Sequence, residues 1–313
     1  MAQRVLYGAL TILVLFAIVW ADAAIANRCS QSLSPAPRLL FSRGSLLPLF
    51  IVAMLVAGGW ELIHFLRAAG AQPYWRFALV MVVLVGVAPW LCFGLSYRIG
   101  SPIRASLIAV LLSILGTGIV AVAKRDPTSS LRDSGATLLA ILYLGFLGSF
   151  ALHIRSGLYL PGSAGAWVLL VVLLITKASD IGAYFAGSLW GTHKLIPSIS
   201  PGKSVEGMLG GFAASMLVSA LLWSILRAWL FQIDASGHSL PPLGPVVGFT
   251  YSLFFGLLIS AFGQLGDLFE SCFKRDAGLK DSGKVIPRFG GILDLVDSPI
   301  LAMPVAWLLL TWG

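Results

Sequence analysis

The run "FALVMVVLVGVAPWLCFGL", residues 77–95, contains no charged residue. An α-helix needs about 20 apolar residues to cross the roughly 30 Å hydrocarbon core of a bilayer. A strand of a membrane β-barrel is shorter, about 10 residues, and it alternates apolar with polar positions. This continuous run therefore predicts a transmembrane α-helix.

Similar runs follow one another along the chain. Hydrophobic residues make up 58% of the 313 residues, against roughly 45–50% in soluble globular domains. We predict an all-α polytopic membrane protein of about nine transmembrane helices with short loops. The predicted spans are 5–24, 45–66, 77–95, 104–123, 136–154, 166–187, 207–230, 246–270 and 290–312.

The first span has a second interpretation. Arg4, the apolar stretch after it and the small residues "ADAAIA" (21–26) also fit a cleaved signal peptide. The apolar stretch is long for the hydrophobic region of such a peptide. We therefore expect a retained helix.

The distribution of Lys and Arg predicts the orientation. The N-terminus and the loops after even-numbered spans carry 13 of these 21 residues, and the loops after odd-numbered spans carry seven. The positive-inside rule then makes the first set cytoplasmic, although without the last loop the counts are eight and seven. Short loops favour a bacterial inner membrane. The net charge of +8 suits anionic headgroups, and no nucleic-acid-binding module is evident.

The acidic residues are concentrated in the second half of the chain. Nine of the 13 Asp and Glu residues lie between 180 and 297, and "KRDAGLKDSGKVIPRFGGILDLVDS" (274–298) carries nine charged residues just before the last apolar run. Charges within or at the ends of membrane spans are costly unless they face water or a partner. We therefore expect scaffold helices in 1–160 and a catalytic region in 161–313.

Helical spacing places several polar residues together. One face of the predicted helix over 264–274 carries Gln264, Asp267, Ser271 and Lys274. Asp294 and Asp297 share a face directly after Gly290 and Gly291. Upstream, residues 177–211 place Lys177, Asp180 and Tyr184 on one face, followed by a Gly- and Lys-containing loop that could wrap a polyphosphate or a base.

Carboxylates interleaved with Lys and Arg favour one kind of chemistry. Mg²⁺ is bound by one or two carboxylates together with phosphate oxygens and water. Phosphate groups are bound by Lys, Arg and backbone N–H groups. The segment therefore predicts phosphoryl or nucleotidyl transfer.

At this point the residues resemble a known family. The pattern S-x-x-K-R-x4-K-D-x-G-x3-P-x-x-G-G-x-x-D-x-x-D, from Ser271 to Asp297, resembles the signature of the phosphatidate cytidylyltransferases. The sequences "SDIGAYFAG" (179–187) and "ISPGKSVEG" (199–207) are similar to a second conserved region of that family. Two positions depart: Phe289 stands where His is usual, and Leu295 where Arg is usual. Any role of that His or Arg is therefore not transferred to this chain.

The resemblance implies a reaction and a set of site residues. The reaction is CTP plus phosphatidate giving CDP-diacylglycerol and pyrophosphate, dependent on Mg²⁺, at the cytoplasmic membrane face. The oligomeric state is left open by the sequence, with a homodimer as one option. The implied Mg²⁺ ligands are Asp267 and Asp294, then Asp297 and Asp281. The implied phosphate-neutralising residues, beside Ser271, are Lys274, Arg275 and Lys280. The implied substrate-binding residues are Asp180, Lys203, Ser204, Glu206, Gly290 and Gly291.

Other polar residues have simpler interpretations. We expect Glu270 and Asp276 to be surface charges. We expect His193, in a loop, to be solvated or adjacent to a phosphate rather than a metal ligand. Glu61 and His64 are three residues apart, so they either pair with each other inside the bundle or line a lipid cavity.

Three other functions remain open from the residues alone. An intramembrane aspartyl protease would pair Asp180 with Asp267 but leaves the basic loop unexplained. A CTP-dependent lipid kinase would transfer the terminal phosphate and release no pyrophosphate. An anion or nucleotide transporter would be expected to show internal repeats, and none is evident.

Overall fold

The computed structural model describes residues 2–32, 44–94, 101–125, 127–157, 163–233, 249–279, 283 and 290–312. The helices are α1 (Ala2–Ser32), α2 (Leu46–Ala68), α3 (Trp75–Gly94), α4 (Pro102–Lys124), α5 (Ser130–Ala140), α6 (Leu147–Gly157), α7 (Ala164–Trp190), α8 (Val205–Ile233), α9 (Phe249–Asp276) and α10 (Leu293–Trp312). A π-helical turn, Ile141–Phe146, joins α5 to α6. Strands β1 (Lys194–Ile196) and β2 (Ser200–Ser204) form an antiparallel hairpin before α8.

Within the described residues, eight segments are long and apolar enough to cross a membrane. They correspond to the second to ninth predicted spans, with α5, the π-helical turn and α6 together forming one of them. The predicted first span lies within α1. The predicted fold class, an all-α polytopic membrane protein, is confirmed. Helix ends differ from the predicted ones by a few residues because polar turns of a helix can continue beyond its apolar part.

By its internal contacts the chain separates into two compact units. Unit 1 comprises Met1–Trp167 and Cys272–Val296, and unit 2 comprises Val168–Ser271 and Asp297–Gly313. Helices α9 and α10 therefore contribute residues to each unit. The functional division near residue 160 stays a prediction.

In unit 1, helix α3 packs against α2, α4 and α6. Glycines allow the backbones to approach closely, as is usual between membrane helices. A Cβ atom at Gly145, in the π-helical turn, would lie only 3.1 Å from the carbonyl oxygen of Val82 in α3. The glycine at position 145 thus allows the π-helical turn to lie close to α3.

A buried ion pair joins α1 to the rest of unit 1. The Asp22 carboxylate accepts hydrogen bonds from Arg155 Nε at 2.9 Å and from the backbone N–H of Leu47 at 3.1 Å. Arg155 Nη2 lies 2.8 Å from Asp22 Oδ2, and both side chains are almost fully buried. Gly44, with φ +77°, lets the chain enter α2 beside this carboxylate, where a side chain would collide.

In unit 2, small residues bring α7 and α8 together. A Cβ atom at Gly182 would lie 2.6 Å from the carbonyl oxygen of Gly210, and one at Gly207 would lie 2.9 Å from that of Ala183. The hairpin pairs Lys194 with Ser204, the residue directly before α8. This pairing places the hairpin at the start of α8.

Candidate active site

Three carboxylates converge in unit 2. Asp267 and Glu270 come from α9, and Asp297 comes from α10; one oxygen of each lies within 4.8 Å of the others. Glu270 and Asp297 are buried, and Asp267 is half-buried. Carboxylate oxygens are the preferred ligands of Mg²⁺, and like charges held this close repel one another unless a cation or a proton compensates them. The cluster is therefore a candidate metal centre.

Two lysines compensate part of this negative charge. Lys203 Nζ lies 2.8 Å from Asp267 Oδ2, and Lys177 Nζ lies 3.0 Å from Asp180 Oδ2. Lys177 also interacts electrostatically with Asp297 and Asp267. Among the described residues, the site thus brings carboxylates and ammonium groups together in alternating sign.

A glycine allows α9 and α10 to meet at the cluster. A Cβ atom at Gly266 would collide with the carbonyl oxygen of Asp297. After Asp297, the Ser298 backbone N–H donates to Asp297 Oδ1 at 2.6 Å, and Ser298 Oγ donates to Asp180 Oδ1 at 3.4 Å. These contacts orient two acids that come from different helices.

The expectation that Glu270 is a surface charge is wrong, since its side chain is fully buried. Glu270 follows Asp267 by three residues, so the two share one side of α9. That spacing is the signal that could have identified Glu270. Asp276, at the end of α9, is exposed as expected.

The polar face of α9 continues into a hydrogen-bond network inside unit 2. Gln264 Nε2 donates to Ser260 Oγ at 3.0 Å and to the Met208 carbonyl oxygen at 3.3 Å. The hydroxyl groups of Ser179 and Ser260 lie 2.5 Å apart. The network links α7, α8 and α9 beside the acidic cluster.

The hairpin is fastened to α8 by two residues predicted to bind substrate. The Glu206 carboxylate interacts with His193 Nδ1 at 2.6 Å and accepts from Thr192 Oγ1 at 2.7 Å. Ser204 Oγ accepts from the Gly207 backbone N–H at 3.1 Å, which makes Ser204 the N-cap of α8. These contacts hold the neighbouring Lys203 at its place on β2. His193 is exposed, as expected of a solvated loop residue.

In unit 1, Lys274 forms an ion pair with Asp294. Asp294 Oδ2 also accepts from the backbone N–H of Gly291 at 2.6 Å. The preceding residue, Gly290, has φ +94°, a conformation that favours glycine. The structure thus places Asp294, a predicted Mg²⁺ ligand, against a lysine and a backbone amide.

Glu61 has different partners from those expected. Its carboxylate accepts backbone hydrogen bonds from Ile292 at 3.0 Å and Leu293 at 2.8 Å. His64 Nδ1 instead hydrogen-bonds to the carbonyl oxygen of Trp60 at 2.8 Å. Among the described contacts, Glu61 therefore pairs with the start of α10 and not with His64. That Glu61 lines a lipid cavity stays a prediction.

The remaining predicted residues fall into two groups. Ser271 is half-buried on α9, and Arg275 is exposed near its end. Lys280 and Asp281 lie outside the described residues, as does the departure at Phe289.

Comparison with known proteins identifies relatives. Residues 37–312 match the model of the cytidylyltransferase family. The chain is 37% identical over 181 residues to the phosphatidate cytidylyltransferase of Staphylococcus aureus (strain COL), a match that covers 58% of this chain and 60% of the relative. It is 35% identical over 210 residues to the phosphatidate cytidylyltransferase of Bacillus subtilis (strain 168), covering 67% of this chain and 68% of that protein.

The family match includes both groups of residues described above, the acidic cluster of unit 2 and the Lys274–Asp294 pair of unit 1. The resemblance seen in the sequence is thereby confirmed. This chain belongs to the cytidylyltransferase family.

Proposed function

We propose that this chain is a phosphatidate cytidylyltransferase, which converts CTP and phosphatidate into CDP-diacylglycerol and pyrophosphate. The observation that carries the proposal is the convergence of Asp267, Glu270 and Asp297 beside two lysines in a membrane-spanning chain. The names of the Staphylococcus aureus and Bacillus subtilis relatives support the same reaction.

The three clustered carboxylates would hold Mg²⁺. Their oxygens are hard donors, and one oxygen of each lies within 4.8 Å of the others, an arrangement that suits a divalent cation. A bound Mg²⁺ would neutralise charge on the triphosphate and on the departing pyrophosphate. Asp294 belongs to unit 1, where it pairs with Lys274, and its role as a metal ligand stays a separate prediction.

The lysines would bind phosphate oxygens. Each ammonium group is positively charged and has three N–H donors, which suit phosphate oxygens. In the structure Lys203 contacts Asp267, and Lys274 contacts Asp294. The two lysines belong to different units, so each is assigned a phosphate contact separately.

The reaction requires little proton transfer by the protein. A phosphate oxygen of phosphatidate attacks the α-phosphorus of CTP, and the bond from that phosphorus to the bridging oxygen breaks as pyrophosphate leaves. Phosphate monoesters have a second pKa near 6, so the attacking oxygen is largely deprotonated at neutral pH. The absence of His at position 289 is therefore compatible with the reaction.

We place the reaction at the cytoplasmic face of a bacterial inner membrane. The excess of Lys and Arg in the N-terminal segment and in the loops after even-numbered spans supports this orientation. The bacterial origin of the relatives supports the location.

The test measures products made by detergent-purified protein supplied with CTP, phosphatidate and Mg²⁺. We expect pyrophosphate and CDP-diacylglycerol in equal amounts, formed only when both substrates are present. Asp297→Asn should abolish this activity, whereas Asp276→Asn, at an exposed position of α9, should keep it.

Different products would contradict the proposal. CDP together with a phosphorylated lipid would indicate a kinase. Uptake of CTP into vesicles without any product would indicate a transporter. No product from a correctly folded protein would also overturn the proposed reaction.

A further inference from the structure

Glu61 lies on α2, far in sequence from the charged segment, yet it binds the start of α10. Its carboxylate accepts the backbone N–H groups of Ile292 and Leu293, 231 and 232 residues away. The first N–H groups of a helix lack acceptors within the helix, and negative charge is favourable at that end. Glu61 thus caps α10 from another helix.

The contact also includes the charged segment before α10. A Cβ atom at Gly283 would lie 2.6 Å from Glu61 Oε1 and 3.3 Å from the Cα atom of Gly291. The chain therefore passes directly against the Glu61 carboxylate at Gly283, and only a glycine fits there without displacement. Glu61 is the point at which α2, Gly283 and the start of α10 meet.

The capped residues directly precede Asp294. Asp294 is held by Gly291 through its backbone N–H and by Lys274 through an ion pair. The two amides bound by Glu61 lie between Gly291 and Asp294 in the chain. The position of Asp294 relative to Lys274 therefore depends on Glu61.

We propose that Glu61 is a positioning residue: it holds the start of α10 so that Asp294 meets Lys274 and Lys274 is directed toward a substrate phosphate. This inference rests on the proposed function, since it assigns Lys274 a phosphate contact. Glu61 itself touches no reacting atom in this assignment.

An energetic argument favours a positioning role over simple packing. Only 6% of Glu61 is exposed. Burying an ionisable group in a membrane protein costs free energy. A methionine of similar length could fill the same space. The particular property of Glu61 is that it offers two acceptor oxygens to two adjacent amides.

The first experiment measures hydrogen exchange of the backbone in the peptide covering 290–296. We compare the parent protein with Glu61→Gln, which keeps one acceptor oxygen, and Glu61→Met, which keeps neither. His64→Gln, one turn further along α2 at an exposed position, is the control. Exchange should accelerate in Glu61→Met, less in Glu61→Gln, and remain at the parent rate in His64→Gln.

The second experiment measures the steady-state kinetics of the same four proteins. We expect kcat/KM to fall about 10- to 100-fold in Glu61→Met, as is usual when a residue supporting a site is removed, with partial recovery in Glu61→Gln. The KM for CTP or for phosphatidate should rise. A smaller fraction of folded enzyme would lower the apparent kcat and leave both KM values unchanged.

Two results would overturn the inference. Unchanged exchange over 290–296 in Glu61→Met would show that Glu61 does not hold α10. Faster exchange with both KM values at the parent level would show a purely structural role. Lack of activity in the parent protein would instead overturn the proposed function and, with it, the catalytic role of Glu61, while the exchange result would still decide the anchoring.

Discussion

Lys203 Nζ lies 2.8 Å from Asp267 Oδ2 and so joins strand β2 to helix α9. The two residues are far apart in the sequence, and each lies in a segment rich in residues suited to binding phosphate or metal. Ser204 and Glu206 support this contact, because they fasten the hairpin to α8 on either side of Val205.

Replacing Lys203 should impair the proposed activity strongly. Lys203→Met removes the counter-ion of Asp267 and a donor for substrate phosphate, so we expect kcat/KM to fall about 100-fold, as when one charge-stabilising donor is lost. Pyrophosphate release measures the effect. Lys194→Met, at an exposed position of β1, is the matched control and should stay near the parent value.

Replacing Glu270 should lower the apparent affinity of the enzyme for Mg²⁺. Glu270→Gln keeps the shape of the buried side chain but removes its charge from the cluster. We expect the Mg²⁺ concentration for half-maximal activity to rise about 10-fold or more. A Mg²⁺ titration of pyrophosphate release checks this, with Asp276→Asn as the control. An unchanged titration curve would exclude Glu270 from the metal centre.

Breaking the Asp22–Arg155 pair should destabilise the protein. Asp22→Asn leaves the buried Arg155 charge without its carboxylate, which typically costs about 3–5 kcal/mol. The expected result is a lower free energy of unfolding in detergent, measured by thermal or denaturant melting. Combining Asp22→Leu with Arg155→Met should recover most of the loss, because no buried charge then remains. A double variant less stable than Asp22→Asn would contradict this explanation.

Replacing Gly290 should lower stability and activity more than replacing another glycine that also has a positive φ. An alanine with positive φ costs about 1–2 kcal/mol, and at Gly290 its Cβ atom would also collide with the Asp294 carboxylate. Gly278 has φ +66° and open space around it. Gly278→Ala therefore measures only the loss of stability caused by a positive φ in a residue with a side chain. We expect Gly290→Ala to lower both melting temperature and activity, and Gly278→Ala to lower melting temperature only. Equal effects of the two substitutions on activity would be evidence against the collision.

The sequence alone predicted the helices well. The apolar runs are long and lack internal charges, and a chain crossing hydrocarbon must satisfy its backbone hydrogen bonds internally. The helical spacing also placed Asp267 on the polar face of α9, and the match with the family covers most of the chain.

The partners of the polar residues were harder to predict. Periodicity shows which residues share a face of a helix, but it does not show what covers that face. Glu270 was expected at the surface and is buried, because α9 turns this side toward the protein interior. Glu61 was expected either to pair with His64 or to line a lipid cavity, and its described hydrogen bonds go to the start of α10.

By itself, the sequence determined the class of the protein, the approximate helix limits and the segments that carry the chemistry, since these depend on local composition and spacing. Only the tertiary structure decided which charges meet: Asp22 with Arg155, Lys203 with Asp267, and Glu61 with the amides before Asp294. Each of these contacts joins segments far apart in the chain. Such contacts depend on how helices pack, which the pattern within one helix does not contain.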